Sequence, residues 1–89
     1  MIRVEIESSA QKDLDKLDKA ITAKILDKLT QFEQHPKSHQ WLKKLEGYSN
    51  LYRLHVGTDW VVAGQIEGDV FRVRWISHRS EIYKRLRRQ

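Results

Sequence analysis

Two side chains in the C-terminal segment have types and a spacing that could act together on a phosphate group. They lie in the segment His78-Arg79-Ser80-Glu81-Ile82-Tyr83, and on a helix Arg79 and Tyr83, four residues apart, would project together. A guanidinium binds phosphate through a fork of donors, and a phenol beside arginines can act as a general acid or base. Attack by the 2′-hydroxyl of RNA needs those parts and no metal. The structural alternative is that Tyr83 packs on a sheet and Arg79 pairs with Glu81.

Basic charge is concentrated at the end of the chain. Residues 70–89 hold seven basic side chains and one carboxylate, whereas residues 1–69 hold ten basic and eleven acidic ones, and the overall net charge is +5. One basic region on an otherwise near-neutral chain favours a phosphate-bearing partner. A solvated basic tail explains the charge equally well.

The composition excludes several classes of protein and site. The 89 residues suffice for a single domain, residues 1–89, with one small core. The absence of cysteine excludes disulfides, thiolate catalysis and cysteine-bound metals. The chain has no apolar run of about 18 residues and its start does not resemble a signal peptide, so we expect a cytoplasmic protein away from membranes. Pro36 separates His35 from His39 and no carboxylate completes a site, so we expect no metal and no cofactor.

Hydrophobic spacing predicts the elements that must position these side chains. Alternation predicts strands at 2–6, 51–56, 60–66 and 70–76. Helical spacing predicts helices at 10–17, from the capping Asp18 to His35-Pro36, and after a capping Ser77 at the C-terminal end. The order β-α-α-β-β-β-α predicts an α+β domain, with a mostly antiparallel sheet, two N-terminal helices on one face and a short C-terminal helix.

Alternation also predicts which side chains share a face of the sheet. Phe71, Val73 and Trp75 are expected on the face that the helices cover. The uncovered face is expected to hold Arg3, Glu5, Arg53, His55, Val61, Ala63, Gln65, Arg72 and Arg74. Arginines and a histidine on an open face predict an electropositive surface, and this favours phosphate binding over a merely solvated face.

Four motifs in the same order resemble the RelE branch of the RelE/ParE toxin superfamily. They are Lys43-Lys44-Leu45-Glu46-Gly47, Leu51-Tyr52-Arg53-Leu54-His55-Val56-Gly57, Gln65-Ile66-Glu67-Gly68-Asp69 and Ser77-His78-Arg79-Ser80-Glu81-Ile82-Tyr83. The resemblance covers essentially the whole chain and implies a RelE-like fold. It further implies a type II toxin-antitoxin toxin: a ribosome-dependent mRNA endonuclease (mRNA interferase) that inhibits translation. The implied partners are a cognate antitoxin, mRNA on the ribosome, and operator DNA through the antitoxin complex.

The resemblance also implies roles for individual residues. Arg53 and His55 match positions that contact phosphate and, in some members, transfer protons. Arg79 matches an arginine that stabilises transition-state charge, and Tyr83 matches a tyrosine that stacks on a base or transfers a proton. These four are the candidate catalytic residues. The candidate RNA-binding residues are Arg72, Arg74, His78, Lys84 and Arg85.

The central strand departs from the RelE pattern. Val61 stands where arginine is usual and Gly64 where tyrosine is usual, and Arg72 or Arg74 is a candidate substitute for the missing charge. Ala63 and Gly64 are small and are expected to leave room, so we expect Val61→Arg to speed cleavage. Two alternatives stay open: a toxin that acts by binding alone, such as a ParE-like topoisomerase inhibitor or a repressor component, and a plain nucleic-acid-binding domain.

Overall fold

A computed structural model describes residues 2–87 of the chain. The elements are β1 (Arg3–Ile6), α1 (Ser8–Asp15), α2 (Lys19–Gln34), β2 (Lys43–Lys44), β3 (Tyr52–Val56), β4 (Trp60–Glu67), β5 (Val70–His78) and α3 (Ile82–Arg87). The order that spacing predicts is confirmed, and the connector after α2 adds a 3₁₀ turn, Ser38–Trp41, and the two-residue strand β2. Within residues 2–87 no helix combines the length and apolarity needed to cross a bilayer.

The five strands form one mixed sheet in the order β1-β5-β4-β3-β2. β1 runs parallel to β5, and the other neighbouring pairs are antiparallel, which confirms the mostly antiparallel prediction. β1 is an edge strand, and α2 covers part of that edge: the Glu33 carboxylate accepts a hydrogen bond from the Val4 amide at 2.8 Å. An edge amide that is bonded in this way is not open to pairing with another strand.

Local sequence explains the ends of α2. Asp18 caps it, because the Asp18 carboxylate accepts a hydrogen bond from the Ile21 amide at 3.0 Å. The helix ends at His35, which lies directly before Pro36 and has an extended backbone. α1 starts earlier than predicted, at Ser8 instead of residue 10. Ser9 is therefore inside the helix, and its hydroxyl donates to the Arg74 carbonyl at 2.6 Å.

The main core lies between the sheet and the first two helices. Its buried members are Ala10, Leu14, Ile25, Leu29 and Phe32 from the helices and Leu54, Val56, Val62, Phe71, Val73 and Ile76 from the strands. The helical members recur every three or four residues, as an amphipathic helix requires. This layer holds the strands in place and leaves the other face of the sheet to position the site.

The second face of the sheet is not open as predicted, because α3 packs on it. Ile82 and Leu86 of α3 form a second buried cluster with Leu45, Leu51, Val61 and Ala63. Val61 is 2 % exposed and Ala63 0 %. The expectation of free space around Val61 is therefore wrong: α3 fills that space with apolar side chains.

A bulge in β5 reverses the predicted alternation. Ala63 pairs with Trp75 and Gly64 with Val73, so Arg74 is an extra residue without a ladder partner. Trp75 therefore packs against the second cluster instead of the helix-covered core, and its predicted placement is wrong. Gly64 permits the close approach of β4 and β5 at the bulge, since a Cβ there would lie 2.3 Å from the Arg72 carbonyl oxygen.

Candidate functional site

A cleft of about 300 Å³ opens between β2, β3 and α3. It is lined by Lys44, Leu45, Glu46, Arg53 and Tyr83. The volume is at the small end of the range for ligand sites, which begins at roughly 300 Å³. Lys44 and Arg53 outnumber the single carboxylate of Glu46, so the lining has a net positive charge. With the Tyr83 ring it suits a small anionic group that is attached to a planar ring such as a nucleobase.

Arg53 and Tyr83 meet across the cleft. Arg53 lies on β3, and its Nη1 donates a hydrogen bond to the Tyr83 hydroxyl, which α3 presents. Arg53 Nε is buried and has no hydrogen-bond partner within residues 2–87. A buried donor without a partner costs about 1–3 kcal/mol, so Arg53 holds this position at a cost to the stability of the fold.

His55 lies two residues along β3 from Arg53 and on the same face of the sheet. Partial burial lowers its pKa below the ordinary value of 6.5, and the positive charges of Arg53 and Lys43 lower it further. Lys43 is close because β2 pairs it directly with Arg53. At neutral pH the His55 ring is therefore uncharged and able to accept a proton.

Arg79 lies in the turn between β5 and α3. The predicted helical pairing of Arg79 with Tyr83 is wrong, because α3 begins at Ile82. The Arg79 amide instead extends the strand ladder to the Asp59 carbonyl at 2.7 Å. Its guanidinium is 66 % exposed and lies 3.9 Å from the Asp59 carboxylate, an exposed pair that is worth little.

Most of the candidate RNA-binding side chains have partners within the fold. Arg72 contacts the carboxylates of Glu5 at 3.0 Å, Glu67 at 3.1 Å and Glu7 at 3.7 Å, and Glu67 contributes most to raising its pKa. Arg74 donates to Gln65 at 3.2 Å and lies over the Trp75 ring. Both side chains would have to leave these partners to reach RNA.

The other three RNA-binding candidates differ in their surroundings. His78 pairs with Trp60 and stacks edge-on against it at 5.5 Å. Trp60 packs on the helix-side core, so His78 lies on the opposite face of the sheet from His55. Arg85 is half-buried in contacts with α1 and β5. Lys84 is exposed and has no side-chain hydrogen bond or ion pair within residues 2–87.

Within residues 2–87 no three His, Asp or Glu side chains lie close enough together to hold a metal ion. The groups at this site that can do chemistry are the neutral His55 imidazole, the Arg53 guanidinium and the Tyr83 phenol. Together they provide a proton acceptor, a fixed positive charge and a hydroxyl donor.

The sequence comparison decides the family. Residues 4–83 match the family model described as ParE toxin of type II toxin-antitoxin system, parDE. The chain belongs to the ParE toxin family. No curated protein sequence matches the chain significantly.

Solved structures place this ParE-family toxin in the RelE fold. The RelB-RelE antitoxin-toxin complex from Methanococcus jannaschii matches at 27 % identity and a TM-score of 0.70, over 90 % of this chain and 95 % of that one. A mutant of the E. coli toxin RelE in the free state matches at 19 % identity and 0.69, over 98 % and 96 %. The RelBE2 complex from Mycobacterium tuberculosis matches at 19 % and 0.69, over 88 % and 98 %. These matches confirm the RelE/ParE resemblance that the motifs predict.

Sequence reasoning missed Lys44 and Glu46, which line the cleft of this toxin, and Lys43, which pairs with Arg53 beside it. Lys43, Lys44 and Glu46 stand in a motif that the resemblance used, yet they had no predicted role. These roles were missed because the two-residue strand β2 was not predicted from the sequence. Recognising two residues antiparallel to β3 would have placed Lys43 beside Arg53 and predicted its effect on His55.

Proposed function

We propose that this toxin is a cytoplasmic mRNA endonuclease that inhibits translation by cutting mRNA on the ribosome. The observation that carries the proposal is the neutral His55 imidazole on the same strand face as Arg53, whose guanidinium is bonded to Tyr83 at the cleft. A base, a fixed cation and a hydroxyl are the three groups that cleavage through the 2′-hydroxyl uses.

Each group has a distinct part in the reaction. His55 accepts the 2′-hydroxyl proton, O2′ bonds to the adjacent phosphorus, and the P–O5′ bond breaks as O5′ takes a proton from Tyr83. The Tyr83 oxygen accepts from Arg53, so its own hydrogen is free to be donated. Arg53 stabilises the extra negative charge of the pentacoordinate phosphorane, and the products are a 2′,3′-cyclic phosphate and a 5′-hydroxyl.

Arg79 takes part from the rim of the site. Its amide bonds to the Asp59 carbonyl directly after the Trp60–His78 pair, so we expect its side chain on the opposite face from His78, the face that holds His55. The exposed pair with Asp59 is weak enough for a phosphate to replace it. We assign Arg79 to a contact with RNA phosphate that tightens in the transition state.

The partner of the toxin is a cognate antitoxin. The M. jannaschii match is itself an antitoxin-toxin complex, and the family is defined by such systems. An acidic amphipathic helix that lies along α1 and α2 or over the sheet suits the positive charge of the chain. Operator DNA is then bound through the antitoxin in the complex.

A toxin that acts by binding alone is the second candidate. One observation favours it: the position where the RelE pattern has arginine is Val61, which is buried beneath α3. No cation can occupy that position with α3 in place. Such a toxin would block its target, a topoisomerase for example, without cutting RNA.

Induced expression with mapping of cellular mRNA 5′ ends separates the two candidates. Cleavage predicts new 5′ ends within codons at ribosomal positions, and single-turnover cleavage of programmed ribosomes should fall by about 10²–10⁴ in His55→Ala. His39→Ala is the matched control, because His39 is an exposed histidine in the 3₁₀ turn Ser38–Trp41 and does not lie on β3. Growth arrest without new 5′ ends contradicts cleavage and supports the binding candidate.

A further inference from the structure

α3 holds Tyr83 in the cleft, yet its described part, Ile82–Arg87, is only six residues long. Isolated helices shorter than about 12 residues are marginal in water, so its position depends on what anchors it. Ile82 and Leu86 supply an apolar anchor on one side. Arg85 supplies a polar anchor on another side, and this anchor reaches across the end of β5 to α1.

The polar anchor joins three elements at one carboxylate. Arg85 Nη1 donates to Asp13 Oδ2 at 2.7 Å, to the Ser77 hydroxyl at 3.0 Å and, at 3.4 Å, to the Ile76 carbonyl. The same Asp13 oxygen accepts from the Ile76 amide at 3.0 Å. The Asp13 side chain is 14 % exposed and the Arg85 side chain 32 %. The pair is therefore shielded more than an ordinary surface salt bridge.

The topology of the sheet explains why this contact is available. β1 pairs with β5 only over residues 70–73, so the Ile76 amide has no strand partner on that side. The Asp13 carboxylate on α1 accepts a hydrogen bond from this amide on one face of the sheet. Arg85 on α3 donates to the same carboxylate from the other face. The contact thus ties the two faces together around the free edge of β5.

We propose that the Arg85–Asp13 pair is a latch that positions α3, and through it the Tyr83 hydroxyl, against Arg53. Arg85 is then a positioning residue and not an RNA contact. Its catalytic consequence rests on the proposed RNA cleavage, whereas its effect on α3 does not.

The latch predicts an asymmetry between its two partners. Replacing Arg85 frees α3 but leaves Asp13 bonded to the Ile76 amide. Replacing Asp13 removes the acceptor of both donors, so Asp13→Ala should also loosen the end of β5. A half-buried cation that loses its partner is expected to destabilise the fold further.

Amide hydrogen exchange tests the latch directly. In Arg85→Met the α3 amides should exchange at least about tenfold faster, with β4 amides unchanged. Lys84→Met is the matched control, since it removes a neighbouring exposed charge of the same helix and should leave α3 exchange unchanged. Arg85→Lys, which keeps the charge, should restore part of the protection. Unchanged α3 exchange in Arg85→Met would overturn the latch.

Salt dependence of RNA binding tests the alternative role. Loss of a phosphate contact reduces the slope of log affinity against log salt by roughly 0.7–1. Lys84→Met should show that reduction and Arg85→Met should not. A reduced slope in Arg85→Met, with α3 protection intact, would make Arg85 an RNA contact and would refute the latch.

Cleavage kinetics test whether Arg85 acts through Tyr83. Arg85→Met should lower single-turnover cleavage about tenfold in the parent chain and should lower it no further in the Tyr83→Phe background. Additive losses contradict the positioning role. If the parent chain cuts no RNA, the proposed function fails, and hydrogen exchange alone decides the latch.

Discussion

At the scale of single residues, the protonation state of His55 sets the pH dependence of the proposed reaction. Burial and the nearby cations lower its pKa below 6.5. A general base works when it is deprotonated, so cleavage should be level near pH 7 and fall as the pH drops through the lowered pKa. The measurement is the single-turnover rate between about pH 4.5 and 8.

Lys43→Met tests whether the acid limb of this pH profile belongs to His55. Removing the Lys43 charge takes away one cause of the lowered pKa, so the acid limb should move to higher pH. A profile that does not move in Lys43→Met, or that keeps the same acid limb in His55→Ala, would assign the base role to another group.

Tyr83→Phe tests the acid role at the same scale. The change keeps the ring and removes the hydroxyl that contacts Arg53. We expect RNA affinity to be retained and cleavage to fall by about 10²–10⁴. A substrate whose leaving 5′-oxygen is replaced by sulfur needs no proton donor and should recover most of the rate. An equal loss on both substrates would show that the hydroxyl positions Arg53 instead.

At the scale of elements, the second core makes Val61 a structural residue. Val61→Arg would place a charge at a site that is 2 % exposed beneath α3. A buried unpaired charge costs several kcal/mol, so we expect a lower melting temperature and slower cleavage. Val61→Met, uncharged and of similar reach, is the control and should cost less. Faster cleavage by a folded Val61→Arg would show that α3 moves aside at no cost.

Gly64 belongs to the same element and explains the second departure from the RelE pattern. A Cβ there would lie 2.3 Å from the Arg72 carbonyl oxygen and 2.9 Å from the Phe71 ring. The backbone at the bulge must shift, so Gly64→Ala should destabilise the fold by about 1–3 kcal/mol. Urea unfolding measures this, with Ala63→Gly as a neighbouring control. Unchanged stability would mean that the bulge relaxes freely.

The positions of helices and strands along the chain were easier to predict than the side of the sheet on which each side chain lies. The capping carboxylate of Asp18 and the proline after His35 are local signals, and they located α2 correctly. Alternation failed at Trp75, because one inserted residue reverses every later side chain and nothing local marks the insertion except Gly64. The sequence predicted which residues belong to the candidate site, namely Arg53, His55 and Tyr83. It did not predict the contact between Arg53 and Tyr83, because that contact depends on how α3 packs on the sheet.

At the scale of the whole molecule, the net charge of +5 does not describe the positive side chains that are free to contact RNA, because several basic side chains are already paired within the fold. Arg72 and Arg85 are bound to carboxylates of the fold, and Arg88 lies outside the described residues. We expect about four phosphate contacts, from Lys44, Arg53, Arg79 and Lys84, which gives a salt slope of about −3 for single-stranded RNA.

Affinity measured across a salt series checks this number. A slope of about −6 would indicate that all seven basic side chains of residues 70–89 contact phosphate in addition to Lys44 and Arg53. Arg72→Met is the useful comparison, because Arg72 faces three carboxylates. Its loss should leave the slope unchanged, and a smaller slope would show that Arg72 releases its partners for RNA.

The parallel pairing of β1 with β5 also bears on how far synthesis must proceed before the sheet can form. Residues 3–6 are translated well before their strand partners, residues 70–73, and β5 lies between β1 and β4. Pairing so distant in sequence forms late. A nascent chain that stops before residue 70 has neither the strand that joins β1 to β4 nor Tyr83 in the cleft. We therefore expect a fragment that ends before residue 70 to be inactive, and activity to require translation past Tyr83.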